Sequence, residues 1–429
     1  MSTAEARRTS PESSGDAPAL PAASQVFIAR QPILDRDRRV HGYELLFHPM
    51  TALAAASGPD GAASARVIAD AALSFGLHTL TNGRRAFINV PHRLLLEGVP
   101  STLPPKQVVL ELQDDVVADE EVVRTCRELR RAGYAIALDN FTLSEKTAPL
   151  VSIANFLKMD VNMKPDLMAI NRLVTAPGAS GVRPAFIAQH IEQADQFAEA
   201  VRGGFGFFQG GFIGRPVTKG ARNVPGHRVG HLKLLGALYE EDLSLYQLEN
   251  LIKQDATLCY RVLRTVNSAG YGLQTTVTSI RDALVLLGRD SVRRWTSLWV
   301  MAGLSTGAPP ELVSMSSVRA RFCELIGGSA TEDGQVSDGF LLGMCSMLDA
   351  ILEVPMPVLI SQLPLSEETR AALRGDDTPG RRLLDCAMAY ERGAWDLCVP
   401  LAKRAGLDAE QLPAAYLDAL RWSGLLGEN

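Results

Sequence analysis

The sequence predicts an α/β domain followed by an all-α domain, and three observations support this prediction. Between 26 and 217, about eight short apolar runs typical of strands alternate with stretches typical of helices. A segment rich in proline, glycine and polar residues, PVTKGARNVPGH (216–227), then interrupts the pattern. Beyond 230 the apolar residues recur at helical spacing, and no convincing strand remains. The first domain is therefore predicted to be a TIM-like (β/α)8 barrel, and the second a helical domain.

The first domain opens with a predicted hairpin. The runs VFIAR from Val26 and VHGYELLF (40–47) are strand candidates, joined by a turn through Gln31–Pro32 and Asp35–Arg39. A helix with an apolar face is predicted over Ala62–Phe75. The later strand candidates are AFINV (86–90), QVVLEL (107–112), AIAL (135–138), FLKMDV (156–161), PAFIAQHI (184–191) and FGFFQGGFI (205–213), with helices at Glu120–Arg131 and around Gln193–Val201.

The second domain is predicted from helix signals alone. Ser279 is a candidate N-cap for a helix over Ile280–Leu287, and Ser291 is a candidate N-cap for a helix over Val292–Leu304. The pair Asn267–Ser268 is predicted to cap a helix end and brace the following turn. Leucine, isoleucine and valine residues at helical spacing predict three earlier helices, around 232–238, 245–252 and 258–266.

Composition and charge place the chain among ordinary globular proteins. Of its 429 residues, 46% are hydrophobic and 21% charged, and the net charge of −5 gives no general attraction for a nucleic-acid polymer or an acidic membrane. We find no run of 18 apolar residues that would predict a membrane segment. Residues 1–24, rich in alanine, proline and serine, predict a disordered tail rather than a signal peptide. The six cysteines form no CxxC motif, which favours reduced thiols and a cytoplasmic location.

Polar residues recur at or near the carboxyl ends of the predicted strands. In a parallel barrel these ends open on one face, where active sites are built. Three carboxylates, an amide and a lysine meeting there would suit Mg²⁺ or Mn²⁺, which prefer oxygen ligands, and two such ions could hold a phosphodiester. The alternative is ordinary strand-end polarity, with Asp139–Asn140 as a plain turn. The three carboxylates, the amide and the lysine are Glu44, Glu111, Asp139, Asn89 and Lys158, and Asp160 and Gln189 also lie at or near strand ends.

Taken in order, the motifs over 25–217 resemble the EAL domain, a family that hydrolyses the bacterial second messenger cyclic di-GMP. Glu44–Leu45–Leu46 stands where the name-giving Glu-Ala-Leu stands. The resemblance implies that Glu44, Asn89, Glu111 and Asp139 would be metal ligands, if a metal binds, and that Gln31, Glu44 and Gln209 would contact a ligand. The motifs that carry it are QPILD (31–35), FINV (87–90), ELQD (111–114), LKMD (157–160) and QGGFIGRP (209–216).

The chain also departs from the family pattern. The second aspartate of the family's LDDFGTG motif is Asn140, and the glycines that follow it are absent. A carboxylate of the AEGVE motif is Gln189, and the arginine that usually follows Glu-Ala-Leu is His48. Losing one charge-stabilising group costs about 10²–10³ in rate, so these changes predict a degenerate catalytic site without hydrolysis. Lys158, Asp160 and Glu192 are retained in this pattern, no cofactor is expected, and Mg or Mn is possible only if the site is kept.

The segment IKQDATLCYRVLRTVNSAGYG (252–272) resembles the signature of the HDOD domain, a helical relative of HD phosphohydrolases that lacks their paired His–Asp metal ligands. That pair is absent here as well, because the corresponding helix reads GMCSMLDAIL (343–352) and Asp349 alone cannot hold a dication. The expected layout is a tail at 1–24, an EAL-like barrel at 25–217, a linker at 218–229 and an HDOD helical domain at 230–429.

Together the two resemblances imply a regulator of bacterial signalling. We expect a non-catalytic regulatory or adaptor protein, not an enzyme, that contacts signalling proteins through the HDOD domain, with cyclic di-GMP as a candidate ligand. Two alternatives stay open: a weak metal-dependent cyclic di-GMP phosphodiesterase or cyclic di-GMP receptor, and a scaffold that never meets the nucleotide. The site residues distinguish the first two, since Asn140 and Gln189 are the positions where charge is missing.

Overall fold

The computed structural model describes eleven stretches of the chain. Predictions that fall outside them are the tail at 1–24, the helix at 62–75, most of the linker and Ser268. The described residues are 26–49, 76–113, 116–175, 183–215, 226–240, 243–267, 276–305, 307–328, 336, 338–363 and 365–427.

The first half forms a closed barrel in which the eight strands follow one another in sequence order. Strand β1 is antiparallel to both of its neighbours, β2 and β8, and every other pairing is parallel. The predicted barrel and its opening hairpin are therefore confirmed. The strands are β1 Val26–Asp35, β2 Val40–Pro49, β3 Arg85–Val90, β4 Val108–Leu112, β5 Ala135–Leu138, β6 Phe156–Asp160, β7 Ala185–Gln189 and β8 Phe207–Phe208.

Two details of the strands differ from the predictions. The predicted turn at Gln31–Pro32 is wrong, because both residues lie inside β1 and pair with Glu44 and Tyr43 of β2. Strand β8 has only two residues, since the chain turns at Gly210 (φ 148°) into a 3₁₀ helix at Gly211–Gly214. An added Cβ on Gly210 would lie 2.1 Å from the carbonyl oxygen of Ile191, so only glycine fits this turn.

Side chains fill the barrel below its mouth. Phe87, Phe156 and Ile187 form a buried cluster inside the strands, and Phe156 packs edge-on against Phe87 at 5.4 Å. His41 closes this cluster at the lower end, with its ring 4.3 Å from that of Phe207. The interior is thus a packed core, and the upper end is the face available for chemistry.

Short helices connect the strands of the barrel. The longest of those that the structure describes begins at the N-cap Asp119, whose carboxylate accepts a hydrogen bond from Val122 N at 2.8 Å. Acidic residues lie in its first turn and arginines in its last, which complements the helix dipole. The helices are α1 Leu77–Thr81, α2 His92–Leu96, α3 Glu120–Arg131, α4 Ala148–Val151, α5 Leu167–Thr175 and α6 Ala194–Gly203.

Every element described after Gly226 is helical, as predicted. Ser279 caps its helix through Asp282 N, whereas the prediction for Ser291 is wrong because that helix already begins at Arg289 after Gly288. The helices are α7 Gly226–Ala237, α8 Leu245–Lys253, α9 Ala256–Val266, α10 Ile280–Leu287, α11 Arg289–Leu304, α12 Pro310–Gly328, α13 Gly339–Cys345, α14 Leu348–Leu352, α15 Met356–Gln362, α16 Glu367–Arg374, α17 Pro379–Glu391, α18 Trp395–Arg404 and α19 Leu412–Gly427.

Asn267 braces the end of α9 as predicted. Its amide nitrogen donates to the carbonyl oxygens of Leu263 and Val277, each at 2.8 Å, and its amide oxygen accepts from Val277 N at 2.7 Å. The side chain therefore ties α9 to the segment before α10, which is a structural role.

The helical half packs against β1 and β2 of the barrel. Tyr390 of α17 accepts a hydrogen bond from Ile28 N at 3.2 Å, and Tyr43 of β2 donates to Glu311 Oε2 of α12 at 2.8 Å. The ring of Phe27 lies 5.8 Å from that of Tyr390. These contacts place α12 and α17 beside the barrel mouth.

In the described part of the chain, no single helix is long and apolar enough to cross a membrane. The segments Gly339–Leu352 and Met356–Gln362, bent by 119° relative to each other, are together long and apolar enough for a membrane span by length and composition only.

Candidate functional site

The mouth of the barrel gathers polar side chains from seven strands. The parallel register sets neighbouring positions side by side, pairing Asn89 with Glu111 and Asp160 with Gln189. The side chains that interact at the centre of the mouth are Glu44 on β2, Asn89 on β3, Glu111 on β4, Asp139 after β5, Lys158 on β6, Gln189 on β7 and Gln209 after β8.

Lys158 is the centre of this cluster. Its ammonium nitrogen lies 2.8 Å from Glu44 Oε2, 2.7 Å from Glu111 Oε1 and 3.2 Å from Asp139 Oδ1. The side chains of Lys158 and Glu111 are fully buried, at 0% exposure. The three carboxylates predicted at the strand ends therefore converge on one point inside the mouth.

Amide side chains orient two of these carboxylates. Glu44 accepts hydrogen bonds from Asn89 Nδ2 at 3.1 Å and from Gln209 Nε2 at 2.6 Å. Gln209 also donates to Gln31 Oε1 at 3.1 Å, which joins two predicted ligand contacts. Gln189 Nε2 donates to Asp139 Oδ1 at 2.9 Å, so the amide that replaces a family carboxylate holds the aspartate in place.

Burial and charge shift the pKa values of the cluster in different directions. Burial acts to raise the pKa of Glu44, but Lys158 and the three hydrogen bonds to the carboxylate lower it below its usual range. Burial, followed by the charge of Glu44, raises the pKa of Glu111 well above its usual range. Burial alone would lower the pKa of Lys158, yet the surrounding carboxylates raise it. Lys158 is thus a permanent cation in the mouth.

The donor chemistry of the mouth suits a hard divalent cation. Glu111 Oε2 and Asn89 Oδ1 are buried oxygens without a hydrogen-bond partner, and both belong to the predicted metal-ligand set. Among the described residues, no group of three or more histidine, cysteine or acidic side chains is arranged as a ready coordination sphere. The ammonium of Lys158 lies between the carboxylates, so a metal ion would share the cluster with it.

The other predicted site residues lie at the edge of the mouth or away from it. Asp160 accepts from Asn162 N at 2.8 Å, and its other oxygen lies 3.3 Å from His190 Nδ1. Glu192 is paired with Arg215 at 2.8 Å. His48 lies near the end of β2 and is not among the described residues that line the mouth cavity, and its ring is 6.3 Å from that of Trp395.

Asn140 is exposed at the edge of the mouth in the left-handed conformation, with φ 44°. Asparagine adopts this conformation more easily than most residues, so the change from aspartate suits the local backbone.

Sequence reasoning missed one wall of the mouth. The cavity above the cluster has a volume of about 580 Å³, and helices of the second half line one side of it. Arg319 Nε donates to both oxygens of Glu391, at 3.1 and 2.9 Å, and its Nη1 donates to Ser346 Oγ at 3.1 Å. Nothing in the sequence signals this wall, because its residues are more than 250 positions from Glu44 in the chain. The wall includes Met315, Arg319, Ser346, Met347, Asp349, Glu391 and Arg392.

Comparison with known proteins agrees with this architecture. The HDOD domain family matches residues 230–348. The cyclic di-GMP phosphodiesterase CdgJ of Vibrio cholerae is 33% identical over 398 residues, 92% of each chain. The uncharacterized protein YuxH of Bacillus subtilis is 30% identical over 409 residues, covering 93% of this chain and 98% of its own.

Solved structures give only weak similarity. The PaMucR phosphodiesterase in complex with c-di-GMP is 20% identical, covers 45% of this chain and 97% of its own, and has a TM-score of 0.35. The YkuI protein of Bacillus subtilis, with an EAL domain and in complex with c-di-GMP and calcium, is 19% identical, covers 63% of this chain and 72% of its own, and has a TM-score of 0.36.

An eight-stranded barrel with an antiparallel first strand, followed by an HDOD domain, defines a class of two-domain proteins. With a full-length relative at 33% identity, the chain belongs to the EAL–HDOD family of bacterial signalling proteins.

The prediction that the chain is not an enzyme is contradicted by this relationship, because CdgJ is named as a phosphodiesterase. That prediction rested on the charges lost at Asn140, Gln189 and His48. It gave too little weight to the carboxylates that remain, which lie together around Lys158. The expectation that no cofactor binds is likewise not confirmed, since the unpaired oxygens of the mouth suit a cation.

Proposed function

We propose that this chain is a metal-dependent phosphodiesterase that hydrolyses cyclic di-GMP at the barrel mouth. The observation that carries the proposal is the convergence of Glu44, Glu111 and Asp139 within 3.2 Å of one buried nitrogen, Lys158 Nζ. The name of CdgJ, a relative over nearly the whole chain, supports the choice of substrate. A cytoplasmic location belongs to the same proposal and is supported by six unpaired cysteines.

Each side chain of the cluster has a role in this proposal. Glu44, Asn89 and Glu111 would hold Mg²⁺ or Mn²⁺, which would supply positive charge to the phosphoryl oxygens. Lys158 holds the three carboxylates together and limits their repulsion.

Asp139 is the candidate proton acceptor for the attacking water. Its Oδ1 is engaged by Lys158 and Gln189, and among the described residues its Oδ2 has no hydrogen-bond partner. The free oxygen would accept the proton as the water attacks phosphorus, while the bond to the leaving sugar oxygen breaks and that oxygen takes up a proton from solvent water.

Glu44→Gln tests the proposal because it removes one ligand charge and keeps the side-chain shape. Conversion of cyclic di-GMP to the linear dinucleotide is measured by chromatography, with Mn²⁺ or Mg²⁺ and with EDTA. We expect cation-dependent hydrolysis by the native chain and a loss of about 10²–10³ in rate for the variant. Glu199→Gln, an exposed glutamate on α6, is the matched control and should keep the native rate. Binding without hydrolysis, or hydrolysis unchanged by Glu44→Gln, would contradict the proposal.

The second part of the proposal is that the HDOD domain contacts signalling proteins. Adjacent helices α8 and α10 expose apolar side chains, with Tyr246 and Val285 each 71% exposed. Such a surface favours a protein partner. A photo-crosslinking residue at 285 should capture one defined partner in cells, whereas the same residue at Met163, an exposed position on the barrel, should not. Equal capture at both positions would count against this part.

A further inference from the structure

A second cleft lies between the two halves of the molecule, at the end of the barrel opposite the mouth. It has a volume of about 1200 Å³. The barrel contributes the turn between β1 and β2, with Arg38 and Arg39, and the turn before β3, with Arg84. The helical half contributes one face of α9 and parts of α11 and α12. Of the lining residues that the structure describes, the cleft and the mouth cavity share Glu311 alone.

The cleft is strongly basic although the chain as a whole is acidic, at −5. Among the described residues, no carboxylate pairs with Arg84, Arg261 or Arg264, all of which line it. Arg39 lies 4.0 Å from Asp37 in an exposed pair, which contributes little. Among the described residues that line the cleft, Glu311 is the one carboxylate, and it is buried and bonded to Tyr43.

Helix α9 presents a continuous polar and aromatic face to the cleft. Its lining residues recur at intervals of three and four, so they lie on one side of the helix. The other side carries Leu258, Val262 and Val266, which are buried in the core. Tyr260 on the cleft side is 61% exposed, although its ring is large and apolar. The lining residues of α9 are Thr257, Tyr260, Arg261, Arg264 and Thr265.

An aromatic ring also reaches the cleft from α11. Trp299 is half-buried, lines the cleft, and stacks on Trp295 at 6.1 Å. Trp295 is buried and fixes this ring in place. The cleft therefore combines guanidinium groups from both halves with two accessible aromatic rings.

We propose that this cleft binds a small ligand with two or more linked phosphate groups. Arginine forks match phosphate oxygens in pairs, and a cleft with one sign of charge concentrates an ion of the other sign. Arginines from two domains that face one cleft repel each other, and a polyanion between them would relieve that repulsion. Tyr260 and Trp299 offer surfaces on which a base can stack, so a nucleotide is favoured over inorganic polyphosphate.

Calorimetric titration of the full chain tests the proposal. EDTA is present throughout, so that cation-dependent binding at the mouth does not contribute. The probes are GTP, inorganic tripolyphosphate and guanosine. We expect GTP to bind, tripolyphosphate to bind more weakly because it lacks the base, and guanosine not to bind detectably. Equal binding of GTP and tripolyphosphate would support the phosphate site and identify inorganic polyphosphate as the ligand class.

Charge-reversal variants locate the binding. Arg261→Glu with Arg264→Glu should weaken GTP binding by about tenfold or more, the loss expected when charged hydrogen bonds are removed. The matched control reverses two exposed charges outside the cleft, Lys233→Glu with Arg281→Glu, and should leave the affinity within about twofold.

Arg84→Glu changes the barrel side of the cleft and provides a second test if the α9 variant does not fold. This single change should also weaken GTP binding, because the cleft needs both halves. Circular dichroism of each variant checks its fold. The proposal is overturned if the native chain binds neither GTP nor tripolyphosphate, if guanosine binds as tightly as GTP, or if the cleft and control variants bind GTP equally.

Discussion

At the scale of single residues, the main feature of the mouth is an imbalance between its buried negative and positive charges. One buried ammonium, Lys158, faces three carboxylates, and burying an excess of negative charge is costly. Burial raises the pKa of Glu111, and the neighbouring negative charge of Glu44 raises it further. A divalent cation would balance the excess negative charge of the carboxylates. Asn140 and Gln189 are uncharged where the family has carboxylates, so less negative charge remains for a cation to balance. The cluster is therefore suited to fewer cations than a site with all the family carboxylates.

Gln189→Glu restores a charge and tests this balance. The native amide donates to Asp139 at 2.9 Å, and a carboxylate would repel it instead. In EDTA we expect the variant to lose about 1 kcal/mol of unfolding free energy, which lowers its unfolding temperature by a few degrees relative to the native chain. With Mn²⁺ it should gain more thermal stability than the native chain does. Gln107→Glu, an exposed position, is the control, and a Mn²⁺ effect no larger than the control's would contradict the prediction.

Asp349, in the helical wall, makes stability depend on pH. Burial raises its pKa to about 6, against about 3.9 when unfolded. Between these values the folded chain binds more protons than the unfolded chain, so this group's contribution to stability is present below pH 4 and is lost as the pH rises to 6. Asp349→Asn should therefore be more stable than the native chain at pH 7.5, on the order of 1–3 kcal/mol, and lose that advantage near pH 4.

Urea unfolding at the two pH values measures this difference for Asp349→Asn. The exposed Asp282→Asn on α10 serves as the control, and its difference from the native chain should not change with pH in the same way. A constant difference for Asp349→Asn at both pH values would show that the carboxyl group titrates normally.

At the scale of elements, local signals predicted most of the barrel and its site. Apolar runs that end in polar residues identified β3 to β7 and the side chains around Lys158, because a parallel barrel brings those ends together. Signals failed where tertiary structure decides. Ser291 does not cap its helix, because that helix begins at Arg289, directly after Gly288. Strand β8 has only two residues, because the chain turns at Gly210 close to the backbone of Ile191. The helical wall of the mouth depends on contacts between distant segments, which no local pattern encodes.

The pair α12 and α13 shows how close packing fixes one such contact. A Cβ on Gly343 of α13 would lie 2.6 Å from the carbonyl oxygen of Arg319 and 2.8 Å from Ala320 Cα. The backbones of the two helices therefore touch, and this contact positions Arg319 in the wall of the mouth.

Gly343→Ala should push these helices apart and destabilise the fold by about 1–3 kcal/mol, the usual cost of overpacking. Gly328→Ala, at the end of α12 with nothing within 4 Å, is the matched control and should be neutral or stabilising by up to about 1 kcal/mol. Denaturant unfolding of both variants checks the difference. Equal stability of the two variants would show that α12 and α13 can separate freely.

At the scale of the whole molecule, the helical half forms part of the proposed substrate site. It covers β1 and β2 and supplies one wall of the mouth cavity. The backbone oxygen of Arg392 accepts a hydrogen bond from Gln31 Nε2 at 3.0 Å, which places this residue beside a predicted ligand contact. Among the described residues, no acid pairs with the Arg392 side chain, and it lines the cavity. A positive group from the second domain thus lies at the mouth, in a chain where His48 replaces the arginine of the family motif.

Arg392→Ala tests whether the second domain takes part in substrate binding, on the premise that the chain hydrolyses cyclic di-GMP. Removing one charged contact to a phosphate should raise KM by about tenfold, equivalent to about 1.4 kcal/mol, and leave kcat within about twofold. The backbone oxygen of Arg392, not its side chain, accepts the hydrogen bond from Gln31, so the alanine variant keeps that bond. Arg281→Ala, an exposed arginine outside the cavity, is the matched control and should keep the native KM. An unchanged KM, or a fall in kcat alone, would mean that the helical wall shapes the mouth without contacting the phosphate.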